Sequence, residues 1–132
     1  MSQENVEVVK RLYEAWQRNG FGVVRELMDP EIEWVNPHYA VEPGTRHGYA
    51  GFEAAAQALT SVYPDYQVSA VEFSVVGDRV AVTAKVAMRS TGLSVPIDAE
   101  RGYVFDVRDG KVTRFAWFND PREALKAVGL AE

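Results

Sequence analysis

The second half of the chain holds four long runs, residues 66–76, 79–90, 99–108 and 111–119, rich in Val, Phe, Tyr and Thr and divided by short turns. Gly77-Asp78 and Asp109-Gly110 are hairpin signals, because such pairs take the left-handed conformations that match the twist of the flanking strands. Four consecutive antiparallel strands follow from this. Strands of this length curve as they twist, and the concave side of the sheet must be covered by something else.

The first half supplies the cover. Val6, Val9, Leu12, Tyr13 and Trp16 fall on one side of a helix whose other face carries Glu7, Lys10, Arg11, Glu14 and Arg18. Ser2 or Asn5 caps its start, and Asn19-Gly20 ends it. Val23, Val24, Leu27 and Met28 predict a second, shorter helix stopped at Asp29-Pro30. Glu31 to Val35 alternates as a strand and ends at Asn36-Pro37. Residues 37–51 hold two prolines and three glycines with no period, and read as one long loop of the kind used as a lid or binding loop. An alanine-rich helix runs from Gly51 through Leu59 and ends near Tyr63-Pro64. At the other end, Asp120-Pro121-Arg122-Glu123 has the form of a capping box opening a final helix, Glu123 to Val128, which Gly129 ends.

Composition removes several classes of function. The 132 residues carry 14 Lys plus Arg against 19 Asp plus Glu, a net charge of −5 without a basic cluster, so no footprint for a nucleic-acid backbone exists. With no cysteine there is no disulfide framework, thiolate nucleophile or cysteine-bound metal, and His38 and His47 alone do not make a zinc site. No apolar run approaches the roughly 18–20 residues of a membrane span, and the N-terminus is too polar for a signal peptide. A cytoplasmic chain acting without metal or organic cofactor is the expectation. Residues 1–132 are read as one domain, of α+β class, in which a curved, mainly antiparallel sheet wraps N-terminal helices as a cone with one apolar pocket.

Four stretches carry a resemblance: Val8 to Trp16; Glu33-Trp34-Val35-Asn36-Pro37; Arg46 to Gly51; and Arg108 to Val112 leading into Phe118 to Leu125. Together, over essentially the whole chain, they resemble the nuclear transport factor 2-like superfamily in its SnoaL-like and ketosteroid isomerase-like branch. The resemblance implies the cone fold and a homodimer paired through the outer sheet face, where Thr83, Lys85 and Arg89 alternate with inward Val82, Ala84, Val86 and Met88. It does not name a reaction, since this fold hosts isomerases, dehydratases, cyclases, epoxide hydrolases and non-catalytic binders.

The family's catalytic groups are largely replaced. Laid without a gap from Val8 to Pro37, the isomerase pattern puts Asn36 at the general-base aspartate and Leu12 at the oxyanion-hole tyrosine. An amide does not exchange protons near neutrality, and leucine donates nothing. The isomerases' protonated aspartate falls at the depth of Arg101 or its neighbours, with Asp98 nearer the start of the strand; Pro96-Ile97-Asp98 matches its tripeptide only by coincidence. Against the limonene epoxide hydrolase pattern Asn36 is kept, Trp34 replaces a tyrosine, and Trp117 replaces the last-strand aspartate. SnoaL-type cyclases use an aspartate near this strand, where the nearest carboxylate here is Asp120, a helix cap by its own pattern.

Period-two alternation groups the remaining candidates. Ile32, Trp34 and Asn36 share a face, as do Arg101, Tyr103 and Phe105, and Phe115, Trp117 and Asn119, with Leu12 and Trp16 adding a helical wall. Polar Asn36, Arg101, Tyr103 and Asn119 among aromatics suit a small-molecule site better than a closed core. His38, two residues past Asn36, is the candidate acid/base at the cavity mouth, with Asn36, Tyr103 and Arg101 as orienting groups. His47 reads as exposed, and Tyr39, Glu42 and Arg46 as lid surface. Three functions stay open: an isomerase-, cyclase- or hydrolase-type enzyme acting on an apolar cyclic or polyketide-like compound, a non-catalytic binder of such a compound, and a dimerisation module with a vestigial cavity.

Overall fold

The long second-half strands form as their patterning dictates, and the first half folds back to extend their sheet. The structure, a computed structural model, describes residues 2–88 and 97–130. Arg89 of the expected outer face and Pro96 lie outside these residues. In chain order the elements are α1 (Ser2–Asn19), β1 (Met28–Asn36), β2 (Gly44–His47), α2 (Gly48–Val62), β3 (Gln67–Val76), β4 (Arg79–Met88), β5 (Ile97–Arg108), β6 (Lys111–Phe118) and α3 (Pro121–Ala127). The strands make one open mixed sheet in the order β2-β1-β6-β5-β4-β3. Every pairing is antiparallel except that of β1 with β6. The architecture is the expected α+β cone, left open along the sheet edges.

The hairpins obey their turn chemistry. At β5–β6 both Asp109 (φ 53°) and Gly110 (φ 78°) are left-handed, as a two-residue turn with both central residues at positive φ requires. Helix α1 lays Val9, Leu12, Tyr13 and Trp16 on the concave face, against Phe105, Phe115 and Val82, and these are almost fully buried. Gly20, at φ 91°, ends the helix by donating its N–H to Trp16 O at 2.8 Å. Each fully buried Val or Phe of this core contributes about 1.5–3 kcal/mol from burial.

Three local expectations are corrected. Residues 23–28 do not form a helix; they make a turn, and Met28 already opens β1. The apolar spacing imitates a helix face, but the competing partners are stronger. Val112 N–H donates to Leu27 O at 2.8 Å, Met28 pairs with Val112, and Lys111 Nζ takes Glu26 O at 3.0 Å. Pro30 then sits inside a strand, at a register shift between Met28 and Glu33 where no ladder hydrogen bond is asked of it. Within the expected loop 37–51, Gly44–His47 forms an edge strand too short to show a period, and α2 starts at Gly48 rather than Gly51. The last helix lies on the opposite side of the sheet from α1. Alternation turns Ala81, Val104 and Ala116 outward, and α3 packs Ala124 and Val128 on them from the convex side.

That packing needs Gly102. A Cβ there would lie 2.8 Å from Ala124 Cβ and 2.8 Å from Pro121 Cα, both fixed parts of α3 and its start. The convex face also carries a ladder of charges in register across five strands. Arg79 faces Asp106, Asp106 faces Arg114, Arg114 faces Glu33, and Glu33 faces His47. Two of these contacts are ion pairs, at 3.6 Å for Arg79–Asp106 and 3.6 Å for Arg114–Glu33, and the His47 ring nitrogen lies 3.7 Å from the Glu33 carboxylate. Burial nonetheless raises the Asp106 carboxyl pKa, outweighing the opposing pull of Arg79 and Arg114. Because its folded pKa is raised, Asp106 favours the fold only while protonated, and that contribution is lost as pH rises through the folded value.

Two stability outcomes follow. Gly102→Ala lowers unfolding free energy by about 2 kcal/mol or more, since the overlap is with backbone and a methyl group that cannot turn aside. Asp106→Asn leaves stability at pH 7 unchanged or raised by up to about 1 kcal/mol, despite removing an ion pair. Urea denaturation of both variants reads these directly, and a loss above about 1 kcal/mol for Asp106→Asn contradicts the second.

Candidate functional site

Between the concave sheet and α2 lies a cavity of about 670 Å³. The size suits a compound of two to four rings. Strands β1 and β6 give it Trp34, Asn36, Phe115 and Trp117; β5 gives Arg101 and Tyr103; β4 gives Val86 and Met88. Helix α2 closes the opposite wall with Ala55, Ala58, Leu59 and Val62, and Tyr63 and Tyr66 follow from the turn into β3. Alternation explains the placement: Trp34 and Asn36 are two apart on β1, Arg101 and Tyr103 two apart on β5, and both pairs face inward. Asp98, by the same parity, shares the outward face of β5 with Glu100 and Gly102.

Asn36 is the most heavily used polar group of the cavity. Its Oδ1 accepts Trp34 Nε1–H at 2.8 Å and Trp117 Nε1–H at 2.7 Å, and its Nδ2 donates to Glu42 O at 2.9 Å. Only the oxygen can face two N–H donors, which fixes the amide orientation. Both oxygen lone pairs are thereby taken. The two tryptophans are thus hydrogen-bond donors to the asparagine, and the three side chains satisfy one another.

A second polar group sits on the other wall. Tyr66 and Tyr103 bring their hydroxyls within 3.1 Å of each other. Burial is the main cause raising both phenol pKa values, so both stay protonated at neutral pH. One O–H is used between them, which leaves the other free to donate elsewhere. Arg101 lies near enough for its charge to pull these two phenols and Tyr39 back downward. Tyr13, beneath them in the core, has a fully buried hydroxyl without a hydrogen-bond partner.

The segment after β1 is pinned at both ends. Tyr39 Oη donates to the Glu123 carboxylate and accepts Asn119 N–H at 2.9 Å, joining the segment to the start of α3. Glu42 holds Arg46 at 3.0 Å at the mouth, where Val41 is fully exposed. Asp120 caps α3 by accepting Arg122 N–H at 2.9 Å, and the Arg122 guanidinium holds its carboxyl below the usual range. The capping box is half-formed, because Glu123 spends its carboxylate on Tyr39 instead of the cap backbone.

Of the residues singled out by sequence, Trp34, Asn36, Arg101, Tyr103, Phe115, Trp117 and Asn119 all line the cavity. Leu12, Trp16 and Phe105 do not; they lie buried behind Phe115, whose ring touches those of Trp16 and Phe105. His38 does not line it either. It is exposed, its ring against that of Tyr39, because Pro37 turns the chain outward after Asn36. Tyr66 and Phe21 line the cavity without having been singled out. Tyr66 was legible: it stands two residues before buried Val68, so the strand's own alternation points it inward. Among the described residues no three His, Asp or Glu side chains gather as a metal site.

The comparisons agree with this geometry. The family model for the SnoaL-like domain matches residues 9–115. The chain belongs to the SnoaL-like family. Among solved structures, a putative SnoaL-like polyketide cyclase from Jannaschia sp. CCS1 is 23% identical, with TM-score 0.77 over 99% of this chain and 95% of that one. TerC, co-crystallised with polyporic acid, is 24% identical with TM-score 0.75, over 95% and 97%. An NTF2-like protein of unknown function from Burkholderia pseudomallei K96243 is 20% identical with TM-score 0.76, over 96% and 98%. Of the curated proteins, none matches. No helix among the described residues is long and apolar enough to cross a membrane.

Asn36→Leu, which strands two indole N–H groups, is expected to cost about 2–6 kcal/mol of stability, at about 1–3 kcal/mol per unsatisfied buried donor. Chemical denaturation checks it; a loss below about 0.5 kcal/mol contradicts the role assigned to the amide.

Proposed function

We propose that the chain is a cytoplasmic protein that binds an apolar cyclic or polyketide-like compound in this cavity, orienting it by hydrogen-bond donation and without a general base of its own. The observation that carries the reading is the Asn36 oxygen held by both indoles. With that oxygen filled, the cavity offers a ligand donors, namely a phenol of the Tyr66–Tyr103 pair and the Arg101 guanidinium, together with aromatic walls. His38 points away, Asp120 is occupied as a cap, and Glu42 is engaged by Arg46 at the mouth. Donors alone bind and polarise a carbonyl; they do not remove a proton from carbon.

Neighbours of the same fold are consistent with a ring-shaped occupant, one being a putative polyketide cyclase and another having been co-crystallised with polyporic acid. An open cavity of this size weighs against a module whose pocket is vestigial. A homodimer belongs to the same proposal. Thr83, Lys85 and Glu100 lie on the face of β4 and β5 turned away from the cavity, where a second copy would pack beside α3.

The test is a titration with the neutral probe N-phenyl-1-naphthylamine, following quenching of tryptophan fluorescence, since Trp34 and Trp117 line the cavity. Saturable binding of one probe per chain, with a dissociation constant on the order of 1–10 μM, is expected, and Ala58→Trp on the α2 wall should weaken it at least about tenfold. Absence of saturation, or binding indifferent to Ala58→Trp, overturns the reading. Hydrogen–deuterium exchange at the α-carbon of 1-tetralone, followed by NMR, should run no faster with the protein than without it; acceleration would show a base that this reading denies.

A further inference from the structure

Arg101 is left without a partner by the contacts described so far. It stands on β5 two residues before Tyr103, on the concave face, and lines the cavity. Its hydrogen bond is to Glu100 O at 3.1 Å, and among the described residues no carboxylate pairs with it. Arg11, Arg18, Arg25 and Arg108 are exposed to solvent, whereas Arg101 is partly buried. Arg46, Arg79, Arg114 and Arg122 each hold an Asp or Glu within 3.6 Å. Arg101 is the one that looks into an apolar chamber, partly withdrawn from water and without a counter-ion, which is a costly placement for a guanidinium unless an anion joins it.

The charges around the cavity point the same way. Its lining holds Arg46, Glu42 and Arg101, and because Arg46 and Glu42 neutralise each other, a single positive charge remains. The chain as a whole carries −5, so this is a local inversion of its field. The Tyr66–Tyr103 hydroxyl pair shares the chamber with that charge, and the charge lowers both phenols against the effect of burial.

We propose that the cavity is selective for ring compounds bearing a carboxylic acid, bound as the carboxylate on the Arg101 guanidinium, with the Tyr66–Tyr103 hydroxyl pair donating to the same group. A carboxylate is the form that matches the planar guanidinium fork through two parallel N–H bonds. The ring system then lies against Trp34, Phe115 and Trp117, and the acid end determines which way round the ligand enters. The proposal rests on the cavity being a small-molecule site, and it adds the chemistry that the site selects.

The experiment compares two probes of nearly equal shape, 2-naphthoate and 2-naphthamide, by isothermal titration at pH 7.5 and low salt. The unaltered protein should bind the naphthoate at least about tenfold more tightly, the equivalent of about 1.4 kcal/mol. The preference should shrink on going to about 0.5 M salt, because the site is open at its mouth. Arg101→Gln should abolish the preference, with an unchanged circular-dichroism spectrum and thermal transition showing that the variant is folded; Arg101→Lys should keep part of it. Equal affinity for the two probes in the unaltered protein, or a preference that survives Arg101→Gln, overturns the anion subsite and leaves the cavity reading standing. Failure of both probes and of N-phenyl-1-naphthylamine to bind overturns the cavity reading itself. The comparison on the unaltered protein decides the matter even if Arg101→Gln does not fold.

Discussion

The parallel pairing of β1 with β6 is the contact on which the site depends. It joins Met28 and residues 33–35 to Val112 and residues 114–116, some 80 positions later in the chain, and without it the N-terminal third would have no fixed place on the antiparallel sheet. The loop-closure cost of such a long-range contact is offset only when several groups meet at once. They do: Met28 reaches Val112, Lys111 closes the preceding turn, and Trp34 lands opposite Phe115. The indole of Trp117 then meets Asn36. The register shift between Met28 and Glu33 lets the strand carry Pro30 and still bring Asn36 to the cavity wall.

The meeting of Asn36 with two indoles changes how the missing family carboxylates are understood. Taken singly, Asn36 and Trp117 read as two losses. In space they are one exchange, because the tryptophan donates what the asparagine accepts, and Trp34 donates to the same oxygen. A carboxylate between these two N–H groups would also be a poor base, since hydrogen bonds to the charged form lower a carboxyl pKa. Around Asn36 the cavity wall is thus closed by hydrogen bonds among its own side chains. What remains available to a ligand is a phenol pair whose protons burial holds on and a guanidinium without a counter-ion.

Much of this was legible before any coordinates. The β-rich half announced its strands through alternation and its hairpins through Asp109-Gly110, and the α1 stripe from Val9 to Trp16 announced which face it buries. Alternation also put Trp34 with Asn36 and Arg101 with Tyr103 on the cavity side. Depth was not legible: the same period that turns Phe105 inward does not say that Phe115 lies between it and the chamber, nor that Leu12 and Trp16 sit behind that ring. Residues 23–28 were misread because apolar spacing alone does not know that Val112 and Lys111 are waiting for those carbonyls. His38 was misjudged because a strand's alternation ends at Pro37. Gly44–His47 was invisible as a strand because four residues carry no period and its reason for being extended is β1. The outward placement of α3 follows from Gly102, whose significance appears only once the helix is seen against it.

If the cavity binds as proposed, the Asn36 oxygen stays committed to its two indoles when a ligand enters. Hydrogen exchange of the tryptophan indole N–H groups, followed by NMR with and without 2-naphthoate, reads this out. The Trp34 and Trp117 indole protons are expected to resonate downfield, exchange slowly, and keep both properties when the probe binds. Rapid exchange of either proton in the free protein, or its release on binding, would show instead that the amide oxygen is open to a ligand.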